Sequence, residues 1–213
     1  MRVVSRRAGP LVPLPRGRNW RRLACAPKGA KEIRAHSEMS QVPAWFERKF
    51  DFTFAVEQYP NLCVRLRGTP ARLEEILRGV SRDPLLAKPG GQWSPQEHAG
   101  HLLDLEPLWM ARVDDFLAGG GTLTAADLSN RKTHEANHNS RPLIEILAEF
   151  RTARLRLVDR VGQFQPAVFA RAMLHPRLKQ PMRLVDHLCF VAEHDDHHLA
   201  KIWELINTGG WVS

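Results

Sequence analysis

From about residue 59 onward, apolar residues recur at intervals of three and four, and sustained two-residue alternation is absent. That periodicity predicts helices. A first helix is expected over about 60–82, with Leu62, Leu66, Leu73, Ile76, Leu77 and Val80 on one face. Gly68-Thr69-Pro70 interrupts it, so Thr69 reads as an N-cap followed by proline at the first helical position, where the helix would begin in earnest. A second helix opens on the clearest start signal in the chain, Ser94-Pro95-Gln96-Glu97, a capping box with proline at the first position. Its stripe is Leu102, Leu105, Trp109, Val113 and Phe116; Pro107 predicts a kink and Gly119-Gly120-Gly121 a stop. A third helix starts near Pro142 with Leu143, Ile146, Leu147, Phe150, Leu157, Val158 and Val161, one turn of its stripe missing at Arg154. A fourth is expected from about 182 to 207, ended by Gly209-Gly210.

Four amphipathic helices in this length predict an all-α protein, a four-helix bundle. The connections over 122–140 and 162–181 are long enough for crossovers, so simple up-and-down order is not implied. No stretch approaches the roughly 18 apolar residues that span a bilayer. The net charge of +8 at first suggests a nucleic-acid or membrane partner. Its distribution excludes that reading for the bundle. Residues 1–38 hold ten Lys/Arg against Glu32 and Glu38, while the rest carries 21 basic and 21 acidic residues. The expected organisation is therefore a basic segment over 1–38 ahead of a bundle domain over 39–213. That segment reads as a disordered tail, an organelle transit peptide or an upstream extension before an initiator at Met39, the last being favoured. Cys25, Cys63 and Cys189 are too few and too scattered for a disulfide framework, which fits a reducing, cytoplasmic compartment. Cys189, in an apolar helical run, reads as packing.

Ten histidines bear on the chemistry. Glu193-His194-Asp195-Asp196-His197-His198 lies inside the fourth helix, and residues four apart share a face. His194 and His198 fall on the stripe Leu184, His187, Val191, Ile202, Leu205. Two imidazoles on a core stripe need a shared reason, and a metal ion supplies one. A third ligand must come from another helix. His101, one turn before Leu105, is the better candidate; His98 sits in the first turn, nearer solvent. His197 falls with Glu193 and Lys201 on a solvated face. His187 either lines the same cavity or is an ordinary core histidine. Asp104, three residues after His101, and Asp195, beside His194, are candidates to orient a ligand imidazole. His134-Glu135-Ala136-Asn137-His138 matches the H-E-x-x-H metalloprotease pattern. Without an apolar stripe around it, it reads as a solvated polar loop.

Trp93-Ser94-Pro95-Gln96-Glu97 followed by Gly100-His101-Leu102 resembles the second-helix signature of the DinB/YfiT-like superfamily. His194-Asp195-Asp196-His197-His198-Leu199-Ala200-Lys201-Ile202 resembles its last-helix motif, and Arg65-Leu66-Arg67-Gly68-Thr69-Pro70 an early one. The resemblance covers about residues 42–208. It implies a bundle of that type, a homodimer, and a three-histidine site for zinc, nickel or iron whose ligands carry over to His101, His194 and His198. One departure is Lys201, where many members have glutamine. Characterised relatives include thiol S-transferases and a thiol-dependent isomerase. The resemblance thus implies metal-dependent S-transfer from a low-molecular-weight thiol to a small electrophilic substrate. The alternatives are a metal-dependent hydrolase of the same fold and a non-catalytic bundle that binds a metal or a partner.

Overall fold

The computed structural model describes residues 42–208, so the expectations for 1–38 lie outside the described residues. The bundle is built from four long helices, α1 (Tyr59–Leu77), α3 (Pro95–Ala118), α5 (Leu143–Val161) and α6 (Leu184–Thr208), joined by two short ones, α2 (Arg82–Leu86) and α4 (Arg131–Glu135). The 162–183 connection holds a small antiparallel pair, β1 (Ala172–Leu174) and β2 (Pro181–Arg183), in the register Ala172 with Arg183 and Leu174 with Pro181. Three-residue strands are too short to leave an alternation in the sequence, and the periodicity did not predict them.

Helix ends follow local chemistry. Ser94 Oγ accepts from the Glu97 amide at 3.1 Å and a Glu97 carboxylate oxygen accepts from the Ser94 amide at 2.8 Å, so the capping box is complete. Gly119, at φ 75°, ends α3 in a conformation that side chains disfavour. Pro107 lies inside α3. One expectation of interruption is corrected: α1 runs unbroken through Pro70. Thr69 is not an N-cap. It is buried mid-helix, where its hydroxyl lies 3.4 Å from the Arg65 carbonyl and donates to Asp195 at 2.8 Å.

Buried side chains form two apolar clusters. One gathers Leu62 and Leu66 of α1, Trp109, Val113 and Phe116 of α3, Leu157, Val158 and Val161 of α5, and the first turns of α6. The other gathers Leu73 and Leu77, Ala99 and Leu102, Ile146 and Phe150, and Leu199 and Ile202. Thr69, Glu106, Arg154 and Asp195, one residue from each long helix, fall between them in sequence on every helix. The missing turn at Arg154 is thus a fully buried arginine, not a gap. Arg154 donates to Glu106 at 2.6 Å and pairs with Asp195.

The order in which each helix meets the two clusters fixes its direction. α1 and α6 run one way, α3 and α5 the other. α1 packs on α5 and α6, and α3 packs on α5 and α6, so α1 faces α3, and α5 faces α6, across the diagonal. The chain crosses the bundle twice, through 78–94 and through 162–183. The antiparallel α3/α6 pair positions the functional site. Among the described residues no helix is long and apolar enough to cross a membrane.

Candidate metal centre

His101 projects from α3, and His194 and His198 from α6; all three are buried, and one ring nitrogen of each lies within 4.8 Å of the others. The trio expected from spacing is therefore brought together. His194 Nε2 and His198 Nε2 face each other at 3.2 Å. Two nitrogens bound to one zinc ion at about 2.0–2.1 Å and the tetrahedral angle stand about 3.3 Å apart. Burial, reinforced by the neighbouring imidazoles, holds His194 and His198 well below the ordinary histidine range. Burial likewise lowers His101 to about 4, against the pull of Asp104. All three rings are neutral at pH 7, the form in which imidazole binds a metal. Three neutral imidazoles that bring a nitrogen each to one point suit a cation, and the donor set fits one.

Hydrogen bonding fixes the tautomer of His101. His101 Nδ1 lies 3.0 Å from Thr133 Oγ1, which donates to Asp104 at 2.9 Å. The hydroxyl proton is thereby committed to the carboxylate, so His101 Nδ1–H donates to Thr133 and Nε2 is free. His138 Nε2 meets the same Asp104 oxygen at 2.8 Å. His198 Nδ1 lies 2.8 Å from His98 Nδ1, on the ring side away from His194. His98 is thus a partner of His198 rather than a fourth ligand.

Several expectations are corrected. His98 is buried, not near solvent, because Trp93 covers it with ring centroids 5.5 Å apart. The segment around the H-E-x-x-H match is not a solvated loop: Thr133 and His138 are buried. His134 and His138 share no helix, since α4 ends at Glu135 and Asn137 adopts φ 47°. The loop is drawn in by Gln96, which donates to the carbonyls of His138 at 2.6 Å and Arg141 at 2.8 Å. Gly100 makes room for it, since a Cβ there would overlap the His138 ring. Asp104 does reach a candidate histidine, His101, through Thr133. Asp195 does not. It is committed to Arg154 and Thr69 in the central polar layer. His187 stands apart, between Trp109 at 5.8 Å and Phe116 at 5.9 Å, because it precedes His194 by two helical turns, about 10 Å along the axis. His197 is half-buried and lines the cavity, with Trp45 5.8 Å from its ring.

The histidines open onto a cavity of about 450 Å³. Its walls are aromatic: Trp93 lies 4.7 Å from His101, and Trp45 and Trp109 lie 4.9 and 5.6 Å from His194. Neither described cysteine lines it, and burial raises the pKa of Cys63 and Cys189.

Comparisons with known proteins bear on the fold and the family. The family model of the DinB superfamily matches residues 65–202. None of the curated proteins compared matches the chain. Among solved structures, the chain is similar to that of YfiT from Bacillus subtilis, described as "a probable metal-dependent hydrolase with an unusual four-helix bundle topology". The TM-score is 0.67 at 22% identity, covering 78% of this chain and 95% of that one. The likeness to YfiT shows the fold; the family match, spanning more than half of the sequence, places the chain in the DinB superfamily.

Proposed function

We propose that the protein is a metal-dependent hydrolase acting on a small electrophilic substrate at His101, His194 and His198. The observation that carries this reading is the convergence of three neutral, buried imidazoles with no fourth candidate ligand grouped with them among the described residues. Three histidines with an open position are the pattern of a catalytic rather than a structural centre. A divalent cation, if held by His101, His194 and His198, would supply Lewis acidity for ionising a water or thiol near neutral pH. The chain's own residues do the rest. Thr133 and Asp104 hold His101 in one tautomer, and His98 hydrogen-bonds the outward nitrogen of His198. Trp45, Trp93 and Trp109 give an apolar substrate its contact surface. The description of YfiT as a probable metal-dependent hydrolase supports the reading by analogy.

A second reading, S-transfer from a low-molecular-weight thiol, draws support from the carboxylates. Asp104 is committed to Thr133 and His138, Glu193 to Arg48 and Arg65, and Asp196 to Arg65 and Arg72. Asp127, the carboxylate that lines the cavity, is held by Ser129 and Arg131 of its own turn, and a thiol, with a pKa near 8.5, needs less help to ionise than water. Zinc-, nickel- and iron-loaded protein assayed for ester hydrolysis, and for conjugation of an alkyl halide with glutathione, separates the two. Metal-dependent hydrolysis that is lost in His194→Ala is the expected result. Conjugation alone would establish the second reading, and neither activity would overturn both.

A further inference from the structure

The cavity continues past Trp109 and Phe190 to side chains that the proposed chemistry does not use: Arg112, His175 and Arg177. Arg112 is 2% exposed. Its Nε donates to the Thr124 carbonyl at 2.9 Å, and its guanidinium lies 5.5 Å from the Trp109 ring centre. It forms no ion pair among the described residues. Asp115, the acidic residue that acts on it, accepts from the Thr124 amide at 2.6 Å instead. Arg177 is likewise without a carboxylate partner. Its guanidinium rests against Phe46 at 5.4 Å, Phe190 at 5.7 Å and Trp45 at 5.9 Å, and its Nη2 is buried with no hydrogen-bond partner among the described residues. Asp127 lines the same cavity but accepts from Ser129 and Arg131 of its own turn. Buried guanidinium groups without an anion are costly. Burial accordingly pulls both below their ordinary pKa, Arg112 to about 10.

His175 provides an independent observation. Its Nδ1 accepts from the amides of Arg177 at 3.2 Å and Leu178 at 3.1 Å. Backbone amides only donate, so the neutral ring carries its proton on Nε2. Burial and the two arginines keep it neutral, with a pKa of about 3. Its Nε2–H therefore stands 3.2 Å from Arg112 Nη1, which can also only donate. Two donors face each other with no acceptor between them. One anionic oxygen would accept from both.

We propose that Arg112, His175 and Arg177 form a subsite for the carboxylate of the substrate, whose apolar body lies along Trp109 and Phe190. This deepens the functional reading above, on which the placement of the reacting end at the three histidines rests. A carboxylate suits the site because its two oxygens can take a guanidinium and the His175 N–H together.

Calorimetric titration of phenylacetate and its neutral counterpart phenylacetamide tests this. The full-length protein is used both metal-loaded and chelated, so that carboxylate binding to the metal is excluded in the second arm. The acid should bind at least about tenfold more tightly than the amide in both forms. Arg112→Gln and, separately, Arg177→Gln should remove that preference without changing metal content. Arg177 is only half-buried, so its variant carries the test if Arg112→Gln fails to fold. Equal binding of acid and amide, binding of neither, or an undiminished preference in Arg177→Gln would overturn the subsite. A wild type that binds no metal yet keeps the acid preference would sink the metal reading and leave the subsite standing.

Discussion

His101 is held by a relay that leaves its own helix: its Nδ1–H to Thr133, the Thr133 hydroxyl to Asp104, and His138 to the same carboxylate oxygen. Thr133→Val keeps the shape and removes the relay's central hydroxyl. It should weaken metal binding by about 10–100-fold, measured by competition with a chromogenic chelator, and Thr133→Ser should restore it. Unchanged affinity in the valine variant would show that Thr133 only packs. Asp104 was legible in the sequence because a residue three after His101 shares its helical face. Thr133 and His138 were not. They lie on a polar segment about thirty residues away, and their burial arises from a tertiary contact with Gln96 and Gly100 that no local periodicity encodes. The H-E-x-x-H match pointed to this segment but to the wrong chemistry.

Thr69, Glu106, Arg154 and Asp195 give each long helix one polar position between two apolar ones. The polar layer fixes the helices' register, since sliding any one would bury its polar group among apolar neighbours. Arg154→Met would leave two buried carboxylates without a cation and should destabilise the fold by about 3–5 kcal/mol in urea unfolding. Adding Glu106→Gln and Asp195→Asn should recover part of that loss. No recovery would mean that the arginine acts by shape alone. Glu106 adds a pH dependence. Burial raises its pKa to about 7, with Asp195 pushing the same way and Arg154 opposing. The folded protein thus keeps a proton that the unfolded chain releases near the ordinary glutamate value of 4.5. Stability should fall as pH rises from about 4.5 to 7, and Glu106→Gln should flatten that slope. A steep slope in the variant would assign the dependence to other groups. At the level of elements, the stripes located all four long helices. The periodicity marked Arg154 as a gap because it registers apolar residues and is blind to a charge buried against partners on two other helices.

For the molecule as a whole, helix number was legible and helix arrangement was not. Long connections permitted crossovers, but that α1 faces α3 across the diagonal depends on packing between complete helices. The convergence of His101, His194 and His198 was legible because two share one helix face and the third lies on a strongly capped helix. The cavity walls were not, since Trp45, His175 and Arg177 reach the site from irregular segments. The proposed hydrolase activity requires the three histidines to hold a metal ion. Elemental analysis of untagged wild type, His101→Ala and His194→Ala, each checked for helical content by circular dichroism, tests this most directly. The account predicts about one divalent metal ion per wild-type chain, lost in both variants while the helices persist. Wild-type protein that stays metal-free after reconstitution with zinc, nickel and iron, or variants that keep the full metal content, would contradict it.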